Sequence, residues 1–208
     1  MNRGPFIFLG VFAILALSWA FALKKPVAEI GGLRPVGEGT DRRPFAAPDA
    51  VALGREVYQA YGCVACHTQQ GRYPAGNDVD RGWAPRRSVP RDYLGQQPAF
   101  LGFRRIGPDL ADVGSRRDDP GWHHRHFYRP QSVSPGSVMP AYSSLYEERP
   151  VAGQPSARAL DLPEGFAPEE GREVVPTRRA EALVAYMLSL KVDYDLPEAP
   201  DPDKVKLK

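Results

Sequence analysis

The chain contains only two cysteines, and they stand three positions apart with a histidine directly after the second: Cys63-Val64-Ala65-Cys66-His67. Two thiols cannot staple a framework of several disulfides or build a four-cysteine zinc or iron–sulfur site. They act as a pair. The C-x-x-C-H spacing is that of c-type haem attachment. Thiols separated by two residues reach the two vinyl groups of one haem, and the adjacent histidine then lies beneath the iron as an axial ligand. Two other readings share the C-x-x-C spacing. A thioredoxin-like redox pair expects a strand before the motif and an α/β pattern around it. Here a helical pattern precedes the motif and no strand run is evident. A zinc site needs a fourth protein ligand from the remaining histidines.

Proline and glycine supply 42 of the 208 residues, which argues for short elements in much irregular chain rather than a long helical bundle. A hydrophobic content of 42% excludes wholesale disorder. The net charge of +2 is too small to argue for nucleic acid as a partner. That charge is unevenly laid out. Residues 1–25 hold Arg3, Lys24 and Lys25 and no acid, which leaves 24 basic and 25 acidic side chains for the rest. Within this basic segment Phe6 to Leu23 is an uncharged, mainly apolar run of 18 residues. As a helix it is roughly 27 Å long, close to the hydrocarbon thickness of a bilayer. Residues 1–25 are therefore expected to be a transmembrane anchor, with Trp19 and the Lys24–Lys25 pair at one interface and Arg3 at the other. The competing reading is a cleaved signal peptide, because Ala20-Phe21-Ala22 has the small-x-small form of a cleavage site. Basic residues flank the run on both sides, so charge alone does not orient it.

Residues 26–48, rich in Pro and Gly, read as a linker. Residues 49–192 read as the haem domain. In it, Asp49 caps a helix to about Tyr61 with Leu53, Val57 and Tyr61 on one face, and Gly54 and Tyr58 lie on the adjacent stripe. A short helix is expected over Asp119–Arg129, ending before Pro130. The clearest helix runs from Thr177 or Arg178 to Leu190, with Leu183, Tyr186, Met187 and Leu190 as its buried stripe. Residues 68–120 and 147–176 read as loops, and no strand is expected. Residues 193–208 read as a proline-rich, charged tail, mobile or strapped to a partner.

A second axial ligand is expected, and methionine with histidine is the cytochrome c arrangement. Of three methionines, Met1 starts the chain and Met187 lies on the last helix. Met139 alone sits in a loop, with its backbone pushed to an extended form by Pro140. His123, His124 and His126 are the rival ligands. An axial histidine usually donates its other ring N–H to a fixed acceptor, and Gly107-Pro108-Asp109-Leu110 offers the carbonyl of Pro108. Arg104 and Arg105 are candidates to pair with the haem propionates. Trp122, Tyr73 and Tyr142 are candidates to wall the haem, or else pack the core.

From Gly54 to Leu145 these residues resemble the mono-haem cytochrome c subunit (subunit II) of cbb3-type cytochrome c oxidases. The resemblance rests on Gly54-Arg55-Glu56-Val57-Tyr58, Tyr61-Gly62-Cys63, Cys66-His67-Thr68-Gln69 and Arg105-Ile106-Gly107-Pro108-Asp109-Leu110. It continues through Val113-Gly114, Trp122-His123, His126, Pro130 and Met139-Pro140-Ala141-Tyr142. The Trp-His segment followed by Met-Pro-Ala-Tyr is the more specific part, since any cytochrome c has C-x-x-C-H. The sequence departs from the family pattern at Gln70-Gly71-Arg72-Tyr73-Pro74 and at Ser143-Ser144-Leu145. The resemblance implies a mainly α, type I cytochrome c-like fold after one N-terminal transmembrane helix. It implies one covalent haem c on Cys63 and Cys66, with His67 and Met139 as axial ligands. It also implies a cytoplasmic N-terminus and a haem domain on the outer face of the cytoplasmic membrane. The implied partners are a polytopic haem–copper catalytic subunit and a further c-type cytochrome subunit.

The function expected is electron relay toward the oxygen-reducing subunit, with no catalysis by the chain alone. One alternative is the anchored mono-haem subunit of a nitric oxide reductase, against which the Trp122–Tyr142 block argues. The alternative of another class is a membrane-tethered C-x-x-C thiol oxidoreductase.

Overall fold

The computed structural model describes residues 3–34, 49–74 and 77–202. Helix α1 spans Gly4–Gly31 and buries none of its apolar surface in the rest of the protein; Phe6, Phe8, Phe12 and Trp19 are all exposed. It outruns the expected anchor by six residues and passes through Pro26, where a linker was expected to begin. The reason is local. Proline lacks an N–H and crowds the preceding turn. A π-helical turn over Ala20–Lys24 precedes it and takes up the mismatch, so the helix continues instead of breaking. Most of the expected linker, residues 35–48, lies outside the described residues.

The remaining elements are short, as the proline and glycine content demands. They are α2 (Asp49–Ala60), α3 (Val113–Arg116), α4 (Pro120–Tyr128), β1 (Tyr146–Pro150), β2 (Arg172–Pro176) and α5 (Arg178–Ser189). Local chemistry sets their ends. The Asp119 carboxylate accepts from the backbone N–H groups of Gly121 and Trp122 at 2.8 and 2.9 Å, and Pro120 opens α4. The Thr177 hydroxyl accepts from Ala180 N–H at the start of α5. Arg129 is extended because Pro130 follows it, and α4 stops there.

Helices α2 and α5 cross as the central pair. Val57 and Tyr58 from α2 and Ala182, Leu183, Val184, Tyr186 and Met187 from α5 are all buried. The crossing depends on Gly54. A Cβ there would stand 1.9 Å from the Ala182 carbonyl oxygen and 2.7 Å from Tyr186 Cβ, so the two backbones meet with no side chain between them. The Tyr58 ring packs at 5.5 Å on Tyr186 and 5.4 Å on Phe100, which joins the pair to the loop before the site.

The expectation of no strands is overturned. β1 and β2 form a two-stranded antiparallel ribbon with Tyr146 opposite Pro176 and Pro150 opposite Arg172. Each strand has five residues and ends in proline, so neither carries enough alternation to show as a strand run. The ribbon delivers the chain to α5, and Thr177 locks that junction by donating from both N–H and hydroxyl to the Leu145 carbonyl.

The start of the expected tail is docked. Leu196 and Ala199 are buried against Val89. The Tyr194 hydroxyl donates to Asp92 at 2.6 Å, and Asp92 is also held by both terminal nitrogens of Arg86 at 2.9 and 3.0 Å. The segment is thus a strap over the chain's own 84–93 loop; residues 203–208 lie outside the described residues.

Gly54→Ala forces a methyl into the helix crossing and is expected to destabilise the domain by about 1–3 kcal/mol, the range for overpacking a close contact. A thermal unfolding midpoint equal to that of the native protein would show that the helices do not meet at Gly54.

Candidate functional site

A cavity of about 560 Å³ lies beside the α2–α5 pair. That volume is within the usual range for cofactor sites. Cys63, Cys66 and His67 open onto it from one side of the chain order, and Met139 from a loop about seventy residues later.

The motif follows α2 directly. Cys63–Ala65 forms a single 3₁₀ turn, and the Cys63 carbonyl accepts from His67 N–H at 3.0 Å and Cys66 N–H at 3.2 Å. These bonds bring both thiols and the imidazole to one short arc of chain. The segment Ile106–Leu110 then closes over it. Ile106 and Gly107 N–H both donate to the Cys66 carbonyl at 3.1 Å, and Leu110 N–H donates to the Thr68 carbonyl at 2.7 Å.

His67 is fixed by two neighbours in that segment. Its Nδ1–H donates to the Pro108 carbonyl at 2.8 Å. That bond leaves the lone pair of the ring on Nε2, the form that ligates a metal. Gly107 supports the ring by contact. A Cβ at residue 107 would lie 2.2 Å from His67 Cε1, so only glycine lets the imidazole sit where it does. Burial depresses the His67 pKa and keeps the ring neutral.

Asp109 holds the two segments together. It is fully buried and accepts from Thr68 Oγ1 at 2.5 Å, Gln70 N–H at 2.7 Å and Ala111 N–H at 2.9 Å. Burial nonetheless raises its pKa above the ordinary carboxylate value. Gln69 and Tyr186 hydrogen-bond side chain to side chain, which ties the residues after His67 to α5.

Of the expected site residues, Cys63, Cys66, His67, Pro108, Met139 and Trp122 all line the cavity. Arg105 and Tyr73 do not. The Arg105 guanidinium turns away and forms an ion pair with buried Asp78, and it lies 3.9 Å from Asp109. Those carboxylates, both buried, are the charges that the guanidinium meets. Tyr73 is 39% exposed, carried outward by the loop it shares with Pro74. The Met139 N–H donates to Ser137 Oγ at 3.2 Å, which sets the loop ahead of Pro140. Met187 faces the same cavity from α5 as part of the core.

The rival histidines separate. His124 packs on Tyr146, with Nδ1 3.2 Å from the Tyr146 hydroxyl. His123 lines the cavity, but its Nε2 donates to the Arg117 carbonyl at 2.7 Å. His126 also lines it, stacked at 4.6 Å on Trp122, with a buried and unpartnered Nδ1. Burial, with His67 and His123 nearby, pushes its pKa down to about 4. Trp83, Arg116 and Arg117 also line the cavity, and nothing in their sequence context singles them out. The spacing of Trp122 and His126, four apart on one helix, was the available signal that these two share a face.

The donor set discriminates among chemistries. Cys63 is 8% exposed, and burial pushes its thiol pKa up to about 11. A redox-active C-x-x-C needs the opposite, a depressed thiol in partial contact with water. Among the described residues no group of three or more His, Cys, Asp or Glu side chains is placed to hold a metal ion. The described residues thus form no four-ligand zinc site around the cysteines. A mostly apolar cavity bearing a thiol pair, a neutral histidine with a fixed acceptor, and a loop methionine fits haem.

No curated protein matches the chain. A family model described as "Cytochrome C oxidase, mono-heme subunit/FixO" matches residues 35–160, a span that holds the C-x-x-C-H motif, the Gly107–Asp109 turn and Met139. The match covers more than half of the chain, which belongs to the family of mono-haem subunits of cytochrome c oxidases.

Proposed function

We propose that the chain is a membrane-anchored c-type cytochrome that relays electrons within a haem–copper oxidase of cbb3 type, toward the oxygen-reducing subunit. The observation that carries this reading is the convergence of Cys63, Cys66, His67 and Met139 on one cavity. Cys63 and Cys66 would supply the two thiols for covalent attachment of a haem, and His67 would offer Nε2 to its iron while Pro108 holds Nδ1–H. Met139, on the loop set by the Ser137 hydroxyl, would be the other protein ligand to the iron. Haem bound there supplies a one-electron ferric–ferrous couple, and methionine ligation raises its potential relative to bis-histidine. The side chains around it exclude water, and no bond chemistry falls to the chain itself.

Helix α1 is long and apolar enough to serve as a single-pass anchor, and the cbb3 resemblance supports a cytoplasmic N-terminus with the haem domain on the outer face. The family assignment supports a catalytic oxidase subunit as partner; the resemblance to cbb3-type subunit II extends the proposal to a polytopic haem–copper subunit and a further c-type cytochrome subunit.

Purified protein is expected to show a haem c α-band in a reduced-minus-oxidised spectrum, and its absence would end the electron-transfer reading. In Met139→Ala the long-wavelength methionine–iron band of the ferric protein is expected to vanish and the midpoint potential to fall. If both stay as in the native protein, another side chain ligates the iron, with His126 the first to examine. Gly107→Ala drives a methyl into the His67 ring, and at least a tenfold loss of six-coordinate haem per chain is expected. Full haem content with an unchanged Soret band in that variant would show that the 107 position does not set the ligand.

A further inference from the structure

The C-terminal strap and the end of α1 meet at one side chain, Arg91. Its Nε donates to Glu198 Oε1 of the strap at 2.5 Å, and its Nη1 donates to the Arg34 carbonyl at 2.6 Å. One planar fork thus holds a carboxylate and a backbone carbonyl on different nitrogens, which fixes its orientation. The pair is partly sheltered, with the Arg91 side chain 20% exposed and that of Glu198 34%. The hydrogen bond from Arg91 holds the Glu198 carboxyl below its ordinary pKa, so it stays charged. The strap delivers Glu198 to this place. Its Leu196 and Ala199 are buried, Arg87 Nη2 donates to the Glu198 carbonyl at 2.7 Å, and Val192 N–H donates to Asp112 Oδ1 at 2.7 Å.

Both sides of this joint are stiff. On the α1 side, Gly32 N–H donates to the Ala28 carbonyl at 2.9 Å and Leu33 N–H to the Ile30 carbonyl at 3.1 Å. The chain therefore stays bonded to the helix up to the residue before Arg34. On the domain side, Arg86 and Asp92 are both buried and paired by two hydrogen bonds, and Asp92 also accepts from Val89 N–H at 2.8 Å. The Arg86 guanidinium lies 5.0 Å from the centre of the Tyr194 ring. This cluster is bonded in turn to the chain just past His67. Ser88 N–H donates to the Gly71 carbonyl at 2.8 Å, Gly71 N–H to Ser88 Oγ at 2.9 Å, and the Tyr93 hydroxyl to the Gln69 carbonyl at 2.9 Å. A continuous set of short contacts leads from α1 through Arg34, Arg91 and Tyr93 to Gln69.

We infer that Arg91 is a clamp, closed by Glu198 of the strap, that seats the haem domain at one angle on the end of α1. Arg91 is a positioning residue. It touches neither the cavity nor what fills it, and it joins α1 to the domain whatever occupies the cavity. Glu198 is needed because a long surface side chain gives up rotamer freedom to reach one neutral carbonyl, and the carboxylate offsets that loss. With α1 in a bilayer, the clamp sets the height and tilt of the cavity over the membrane. A redox partner in the same membrane then meets a preorganised face instead of a domain turning on its connection.

The test places spin labels at Val27→Cys, exposed on α1, and at Glu170→Cys, exposed on the loop before β2, in the full chain in lipid nanodiscs. Double electron–electron resonance is expected to give one narrow distance distribution. Arg91→Ala and Glu198→Ala are each expected to widen it about twofold as the domain turns on an unclamped connection. Arg158→Ala removes an ion pair with Glu181 on another part of the surface and is expected to leave the width unchanged. A native far-UV circular dichroism spectrum separates release of the clamp from unfolding. If Arg91→Ala does not fold, Glu198→Ala carries the test by the same distance. A broad distribution before any change at Arg91 or Glu198, or a narrow one retained in either variant, would overturn the clamp. Equal widening in Arg158→Ala would overturn it too, because loss of any ion pair would then loosen the domain.

Discussion

The site depends on the contact between His67 and the turn that follows Ile106. The Pro108 carbonyl fixes which nitrogen of the ring carries the proton, and the bare backbone of Gly107 fixes where the ring lies. Each fails without the other. A side chain at 107 would push the imidazole off the Pro108 carbonyl, and loss of that acceptor would free the ring to rotate. The buried Asp109 ties this turn to Thr68 and Gln70, immediately past the histidine. The geometry of His67 is therefore written into two segments about forty residues apart, each needing the other to fold.

The α2–α5 crossing supplies the rigid wall for that arrangement. Gly54 lets the helices touch, and Tyr58 and Tyr186 then fill the space between the crossing and the loops. Gln69 bonded to Tyr186 carries the rigidity of α5 to the chain just beyond His67. Met187, on α5, borders both the core and the cavity, so the pocket is continuous with the hydrophobic interior. Such a pocket keeps water from a bound redox group, which is one of the means by which a protein sets its potential.

Features set by local chemistry were legible in the sequence. The stripe Leu183, Tyr186, Met187 and Leu190 and the Thr177 cap gave α5 to within a residue, and Asp119 with Pro130 bracketed α4. C-x-x-C-H and the carbonyl of Pro108, both picked out by their spacing, meet at the cavity. Features set by distant partners were not legible. β1 and β2 pair across the loop Val151–Gly171, and each is too short to show alternation. Arg105 sits two residues before Gly107, yet Asp78 claims it. Arg116 looks like any charged residue at the end of a short helix, yet it lines the cavity. The continuation of α1 through Pro26 depends on a π turn that has no sequence mark of its own.

The most direct measurement is the mass of the tryptic peptide Glu56–Arg72, which contains Cys63, Cys66 and His67 and no internal lysine or arginine. A covalent haem c on both thiols predicts that peptide with one haem added and no cysteine open to alkylation. The unmodified peptide, with two alkylatable thiols or a Cys63–Cys66 disulfide, would contradict the account.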